Sequence, residues 1–335
     1  MRLGEQAAVG YAFGASLFSY YIDGVPRPFS ATFAVTNRCN LRCAYCNCPY
    51  INPTDLDMSQ VEQLFDRLQA MGIRRLGLAG GEPMLRADLP EIIAAAKRRN
   101  FFITVNSNLT LYAKHPGRLR TADFVYTSLD GDAQAHVAAR GKHAHEGVLD
   151  AIRDLTSLGT PVVAICVVTE HSMPQVDYLI DLVEQLGIRI HFQPQCTETE
   201  NTRGTVPDSV SNDQYRGFWR RILQEKSKGR PIISSTPYLG FLSQWNDFAV
   251  SAYQEGDARC PAGRGYFYID PLGNAYPCTY VKGKVEGVNL LRDDWQTAWN
   301  RETPCNVCSV GPMLEFNLLF QRPLRAAYEV ARSYR

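Results

Sequence analysis

Cys39, Cys43 and Cys46 lie in the run Thr36-Asn37-Arg38-Cys39-Asn40-Leu41-Arg42-Cys43-Ala44-Tyr45-Cys46, a C-x3-C-x2-C spacing with an aromatic ring before the last thiol. Three thiolates hold three corners of a cubane iron–sulfur cluster and leave the fourth iron open, whereas four close the site. An open iron is a place where chemistry can start. The same thiols could also make a zinc knuckle, although zinc sites favour paired C-x2-C units with a fourth ligand close by. Cys48 is close, but a single residue separates it from Cys46, which is tight for both to bind one ion.

Three further polar segments follow apolar runs. Gly80-Gly81-Glu82-Pro83 follows Leu76–Ala79, and its glycines and proline let backbone carbonyls approach a ligand without side-chain obstruction. Val105-Asn106-Ser107-Asn108 ends the run that starts at Phe101, and Ser128-Leu129-Asp130-Gly131 ends the one that starts at Phe124. Each reads equally as a capped turn, because Asn, Ser and Asp favour turns.

The three cysteines with Tyr45, followed by the GGEP segment, resemble the signature of the radical S-adenosylmethionine (radical SAM) enzymes. The resemblance covers about residues 30–200. It implies a [4Fe–4S] cluster on Cys39, Cys43 and Cys46, with S-adenosylmethionine (SAM) chelated at the open iron by its amino and carboxylate groups. Gly80, Gly81, Glu82 and Pro83 would bind the methionine end, and Tyr45 would pack near the adenine. Asn106, Ser107, Asn108 and Ser128 would line the pocket. Asp130-Gly131, His136 and Arg140-Gly141 resemble a stretch found in peptide-modifying relatives, which implies that Asp130 borders the cofactor and that Arg140 neutralises the SAM carboxylate through a bidentate contact. His136, His143 and His145 read as surface groups. The resemblance also implies the reaction: one electron, from a donor such as flavodoxin or ferredoxin, cleaves SAM, and the 5′-deoxyadenosyl radical takes hydrogen from an unactivated carbon.

A second cysteine set follows: Cys260, Cys278, Cys305 and Cys308. Gly273 to Cys278 lies in an expected hairpin, with Phe267–Asp270 as its first arm and a turn at Pro271–Asn274. The hairpin followed by C-x2-C resembles the auxiliary-cluster domain called SPASM, or its shorter form, twitch. Four thiols imply one fully ligated auxiliary [4Fe–4S] cluster; a zinc ribbon would use the same residues. Cys166 lies in an apolar run and reads as core. Cys196 would face the barrel mouth, as a hydrogen-atom donor or substrate contact, or be a buried free thiol.

The elements that position these groups alternate. Strands are expected at Thr32–Thr36, Leu76–Ala79, Phe101–Val105, Phe124–Leu129, Pro161–Thr169 and Arg189–Pro194. Between them come helices: one opened by a Ser59/Glu62 capping box, one from Asp88 to Arg99, a short one in Thr110–Leu119, one over Ala133–Leu158 broken near Gly141, and one over Met173–Leu186. Six such repeats predict an α/β fold: a parallel sheet with helices outside and functional groups at the C-terminal strand ends. The repeat count resembles the partial (β/α)6 barrel of the radical SAM enzymes, here followed by a small cysteine-rich β-hairpin/helix domain. The expected domains are an apolar segment 1–29, a barrel 30–200, a helical linker or lid 201–258, the auxiliary domain 259–312 and a basic amphipathic helix 313–335. Within the linker, Asp213–Lys228 and Tyr238–Tyr253 are expected helices, the first a candidate lid.

The chain of 335 residues is 45% hydrophobic and 21% charged, enough for a large core. A net charge of +1 gives no electrostatic case for nucleic acid. Ten cysteines without a secretory signal pattern fit metal sites in a reducing cytoplasm. Residues 1–29 are too few for a separate leader-peptide-binding domain, which weighs against a peptide substrate. The apolar Ala7–Ile22 and the Arg-rich tail from Phe316 suggest a surface that contacts a membrane or suits a lipid-like or other small-molecule substrate. A non-catalytic iron–sulfur or zinc scaffold is the alternative to an enzyme.

Overall fold

The computed structural model describes residues 3–23, 27–51, 54–195, 210–246, 260–279, 281–294 and 311–321. Helix α1 (Leu3–Asp23) precedes strand β1 (Ser30–Thr36). Five more repeats follow: α2 (Met58–Ala70), β2 (Arg75–Gly80), α3 (Leu89–Arg98), β3 (Phe102–Ser107), β4 (Phe124–Ser128), α4 (Ala133–Arg140), α5 (Val148–Ser157), β5 (Val162–Val168), α6 (Val176–Gln185) and β6 (Arg189–Pro194). Helix α2 buries Val61, Leu64, Phe65 and Leu68, the face its spacing predicts. Its capping box is Asp57 with Gln60 rather than Ser59 with Glu62: the Asp57 carboxylate accepts the Gln60 N–H at 2.9 Å and the Gln60 side chain accepts the Asp57 N–H at 3.0 Å. Asp88 precedes α3, but its carboxylate pairs with Arg86 instead of a backbone N–H. The expected long helix 133–158 divides at Gly141, whose φ of 96° a side chain resists. Residues 110–119 form two short 3-10 turns, because Pro116 cannot continue a helix.

The six strands pair in parallel in the order β6-β5-β4-β3-β2-β1, the sheet of a partial (β/α)6 barrel. Side chains alternate across it. Phe33, Leu78, Val105, Val125, Ala164 and Phe192 belong to the main core, to which α2, α3, α5 and α6 contribute. On the other face, Phe102, Phe124 and Val163 form a separate cluster. Thr32, Gly77 and Thr104 share a row above it: a Cβ on Gly77 would lie 3.3 Å from each threonine hydroxyl.

The hairpin after residue 260 does not stand apart from this sheet. Its first strand, β7 (Tyr266–Ile269), pairs in parallel with β1, Ser30 opposite Tyr266. Strands β8 (Asn274–Tyr276) and β9 (Val288–Asn289) extend the same sheet antiparallel.

Helix α7 (Asn212–Ser227) packs Phe218 on Phe192 of β6, and its Tyr215 hydroxyl donates to the Val168 carbonyl of β5 at 3.0 Å. It therefore takes the place of the sixth barrel helix, outside the sheet, and is not a lid over the mouth. Helix α8 (Thr236–Leu242) is shorter than expected and opens on Ser235, with Pro237 in its first turn. Residues 231–234 run beside β6, with Ile232 bridged to Ile190. Helix α9 (Gly311–Gln321) contacts the sheet on both its β6 side and its β7 side. On the β6 side, Glu315 accepts the Ser235 N–H at 2.7 Å and lies 3.9 Å from His191, which stacks on Tyr238. On the β7 side, Asn317 accepts from the Tyr266 hydroxyl at 3.3 Å, and Phe316 packs on Tyr266 and Phe29.

Candidate active site

Cys39, Cys43 and Cys46 all lie on the loop that leaves β1 at its C-terminal end. Cys43 is buried with Leu41 against Ala144, and Cys39, Tyr45 and Cys46 pack on that cluster. The Leu41 N–H points at the Cys39 sulfur, 3.4 Å away, and the Cys46 N–H closes a turn onto the Cys43 carbonyl at 3.1 Å. Burial pushes the Cys39 thiol up to about 11, and burial likewise raises Cys43, with Arg140 pulling the other way. Cluster assembly must displace these protons. The donor set fits a cubane: three soft sulfurs on one loop, with the Leu41 N–H turned towards one of them. Among the described residues no three His, Cys, Asp or Glu side chains converge closely enough to hold a single ion. Cys48 is buried beside Cys46, whose sulfur is the main influence raising its own thiol.

Gly80 and Gly81 explain how that loop is held. The Gly81 N–H donates to the Thr36 carbonyl at 2.7 Å and the Glu82 N–H to the Arg38 carbonyl at 2.8 Å. A Cβ on Gly80 would lie 2.1 Å from the Thr36 oxygen, and one on Gly81 2.1 Å from the Arg38 oxygen. The glycines thus allow the end of β2 to touch the cysteine loop itself, a closer demand than ligand access. Glu82 is fully enclosed: its carboxylate accepts from the Met84 N–H at 3.0 Å, the Ser107 hydroxyl at 2.8 Å and the Asn108 N–H at 2.7 Å. Burial raises its pKa and these three bonds oppose the rise. Glu82 and Ser107 therefore join the ends of β2 and β3, and Asn108 reaches on to Asn40 of the cysteine loop at 3.0 Å. Pro83 is buried, Asn106 is exposed at the end of β3 and Ser128 is half-buried at the end of β4.

The segment after β4 is a second clamp. Asp130 is completely buried. Its carboxylate accepts from Arg140 Nε at 2.6 Å and Nη2 at 3.4 Å, from the Val167 N–H at 2.9 Å, and from the Tyr45 hydroxyl at 3.5 Å. Arg140 is only 7% exposed and lies over the Tyr45 ring, 5.6 Å from its centroid. The Ala44 N–H donates to the Ala139 carbonyl at 3.1 Å, which ties the cysteine loop to α4. His136 is not a surface group: it is 1% exposed, accepts the Asp130 N–H at Nδ1 and meets His145 edge-on. Burial pushes it down to about 4, with Arg140 helping, so it is neutral. Its burial was missed because a His in a polar helix looks solvated; the Asp-Gly turn six residues before it was the available signal.

Of the second set, Cys260 and Cys278 come together around Ala262, Tyr266 and Val281. The Cys260 sulfur lies 3.3 Å from Asn317 Oδ1. Cys305, Cys308 and Cys196 lie outside the described residues. Cys166 is core, as its apolar run predicts.

Residues 33–183 match the family model described as the radical SAM superfamily. The chain is 25% identical over 295 residues to the mycofactocin maturase MftC of Mycolicibacterium smegmatis, covering 84% of this chain and 73% of the relative. It is 29% identical over 313 residues to the PqqA peptide cyclase of Streptomyces rochei, covering 85% and 82%. Among solved structures, Streptococcus suis SuiB bound to S-adenosylmethionine matches with a TM-score of 0.68 at 16% identity, over 85% of this chain and 69% of that one. The anSMEcpe complex with AdoMet and the Cp18Cys peptide matches with a TM-score of 0.65 at 16% identity, over 92% and 100%.

Proposed function

We propose that this chain is a radical SAM enzyme that works with a [4Fe–4S] cluster and S-adenosylmethionine, and that its substrate is a peptide. The observation that carries the peptide is the likeness to a named peptide cyclase, and beside it to a named maturase, each over more than four fifths of this chain. A solved neighbour, SuiB, is described with its precursor peptide.

Cys39, Cys43 and Cys46 would hold the SAM-binding cluster. When bound, cluster and SAM together supply a 5′-deoxyadenosyl radical that takes hydrogen from an unactivated C–H bond. The protein's part is geometry. Gly80 and Gly81 press the end of β2 against the cysteine loop. Glu82 fixes the ends of β2 and β3 from below. Arg140 presents a buried cation beside Cys43 for the methionine carboxylate, and Asn106 and Ser128 offer polar groups at the mouth. Cys260, Cys278, Cys305 and Cys308 would hold an auxiliary cluster. A flavodoxin or ferredoxin would supply the electron. The test is anaerobic incubation of the reconstituted enzyme with SAM, a reductant and short peptides encoded beside its gene, read by mass spectrometry. A peptide of altered mass formed together with 5′-deoxyadenosine supports the reading; 5′-deoxyadenosine with every peptide unchanged rejects it.

A second reading, contact with a membrane or lipid-like substrate, rests on α1. Tyr11, Phe18 and Ile22 are 81%, 70% and 66% exposed on a helix whose Phe13 and Leu17 pack on Phe29. No helix among the described residues is long and apolar enough to cross a membrane. Sedimentation with anionic vesicles tests it: protein left wholly in the supernatant removes this reading.

A further inference from the structure

Arg140 has five N–H donors on a rigid fork, and two of those five are already taken, one on Nε and one on Nη2. Asp130 engages Nε and Nη2, one edge of the guanidinium. Nη1 projects from the opposite side and has no hydrogen-bond partner among the described residues. Asp130 is itself immobilised. Its N–H is held by His136, its Oδ1 by the Val167 N–H of β5, and the peptide that follows it belongs to a glycine with φ of 153°. A Cβ on Gly131 would lie 2.7 Å from Ala135 Cβ, so the turn sits closely against α4 at a position that only glycine fits. The other arginines of the loop face elsewhere. Arg38 pairs with Asp55 at 2.7 Å, and Arg42 donates to the Cys39 and Leu41 carbonyls.

We propose that Asp130 is a positioning residue for the cofactor: it grips the Nε edge of Arg140 so that the Nη1/Nη2 end of the guanidinium is turned to the carboxylate of S-adenosylmethionine. Both Nη1 donors and the second Nη2 donor stay open for that contact. The Asp130 carboxylate touches only protein. A long arginine side chain left to itself samples many rotamers, and the ion pair removes that freedom before the cofactor arrives. The proposal rests on the reading that Arg140 receives the carboxylate, and the experiment separates the two.

The probes are S-adenosylmethionine and its decarboxylated analogue, which keeps the sulfonium, adenosine and amine but lacks the carboxylate. Their Kd values are measured by equilibrium dialysis on anaerobic, cluster-loaded protein. A charge-assisted hydrogen bond of this kind corresponds to a loss of about 10- to 100-fold. Asp130→Asn should weaken S-adenosylmethionine by that factor, leave the analogue unchanged, and add nothing further on top of Arg140→Gln. Asp130→Glu, which keeps the charge, should recover part of the preference, and it serves in place of Asp130→Asn should that variant fail to load iron. If Arg140→Gln abolishes the preference and the Asp130 variants retain it, Asp130 does not position Arg140 and the proposal falls alone. Retention of the preference in all variants removes both the proposal and the Arg140 assignment. Equal weakening of both probes by the Asp130 variants makes Asp130 a purely structural residue and also overturns the proposal.

Discussion

Gly81→Ala puts the contact between β2 and the cysteine loop under direct strain. The added Cβ would sit 2.1 Å from the Arg38 carbonyl oxygen and 2.6 Å from that of Asn37. Both are backbone atoms, so no side chain can swing aside. Ordinary contact requires the loop to recede by roughly 1 Å. That movement acts on two bonds, Gly81 N–H to Thr36 and Glu82 N–H to Arg38, of 2.7 and 2.8 Å. Each buried group left unpaired costs about 1–3 kcal/mol, so the variant should lose roughly 2–5 kcal/mol of a total near 5–15 kcal/mol. The melting temperature should fall by roughly 3–7 °C. Because the displaced peptide leads directly into Cys39, iron uptake should fall more sharply than folding. The assay is paired: thermal unfolding by circular dichroism, and iron per chain after anaerobic reconstitution. Gly14→Ala is the control. Nothing lies within 4 Å of its Cβ, and it sits inside α1, so it should stabilise by about 0.5–1 kcal/mol. A Gly81→Ala protein with wild-type melting and wild-type iron would refute the reasoning.

Three further outcomes are expected. His136 and His191 are both pushed down by burial to about 4 from an ordinary value of 6.5. The unfolded chain therefore binds more protons than the folded one between those limits, and stability should fall as pH drops from about 6.5 to about 4, by on the order of 3 kcal/mol per histidine. Urea midpoints at pH 7 and pH 5 measure this, and His191→Phe, which keeps the ring on Tyr238, should flatten the slope; an unchanged slope contradicts it. Gly311→Ala would bring a Cβ to 2.7 Å from the Tyr238 hydroxyl and 3.0 Å from Gln193 Cβ, so it should cost about 1–3 kcal/mol by overpacking, read by the same denaturation. Replacing Cys260 and Cys278 together by Ser should lower iron from about eight to about four per chain while SAM cleavage survives; unchanged iron would exclude them as ligands.

The strands were legible because each is an apolar run ended by polar or glycine residues, and a parallel sheet covered on both faces needs such runs. The break at Gly141 was legible for the same local reason. Strand β7 was legible as a strand, but not as the parallel neighbour of β1: that pairing joins distant parts of the chain, and Tyr266–Ile269 carries no local mark of its partner. At the site, the partners of the candidate residues were not legible. Asp130 and Arg140 are a motif in sequence and an ion pair in space, and nothing in their spacing says whether a carboxylate will meet a ligand or its own arginine. The glycine pair was read as an opening for ligand, whereas the tightest contacts are with backbone, Gly80 with Thr36 at the end of β1 and Gly81 with Arg38 of the cysteine loop.

The central claim is that the loop after β1 carries a catalytic iron–sulfur cluster, and it is tested most directly by counting iron and sulfide in the anaerobically reconstituted protein, then adding dithionite and SAM and measuring 5′-deoxyadenosine. About eight irons per chain with 5′-deoxyadenosine formed, and both sharply reduced in a Cys39→Ser/Cys43→Ser/Cys46→Ser variant, is the predicted result. Zinc without iron, and no 5′-deoxyadenosine, would contradict the account.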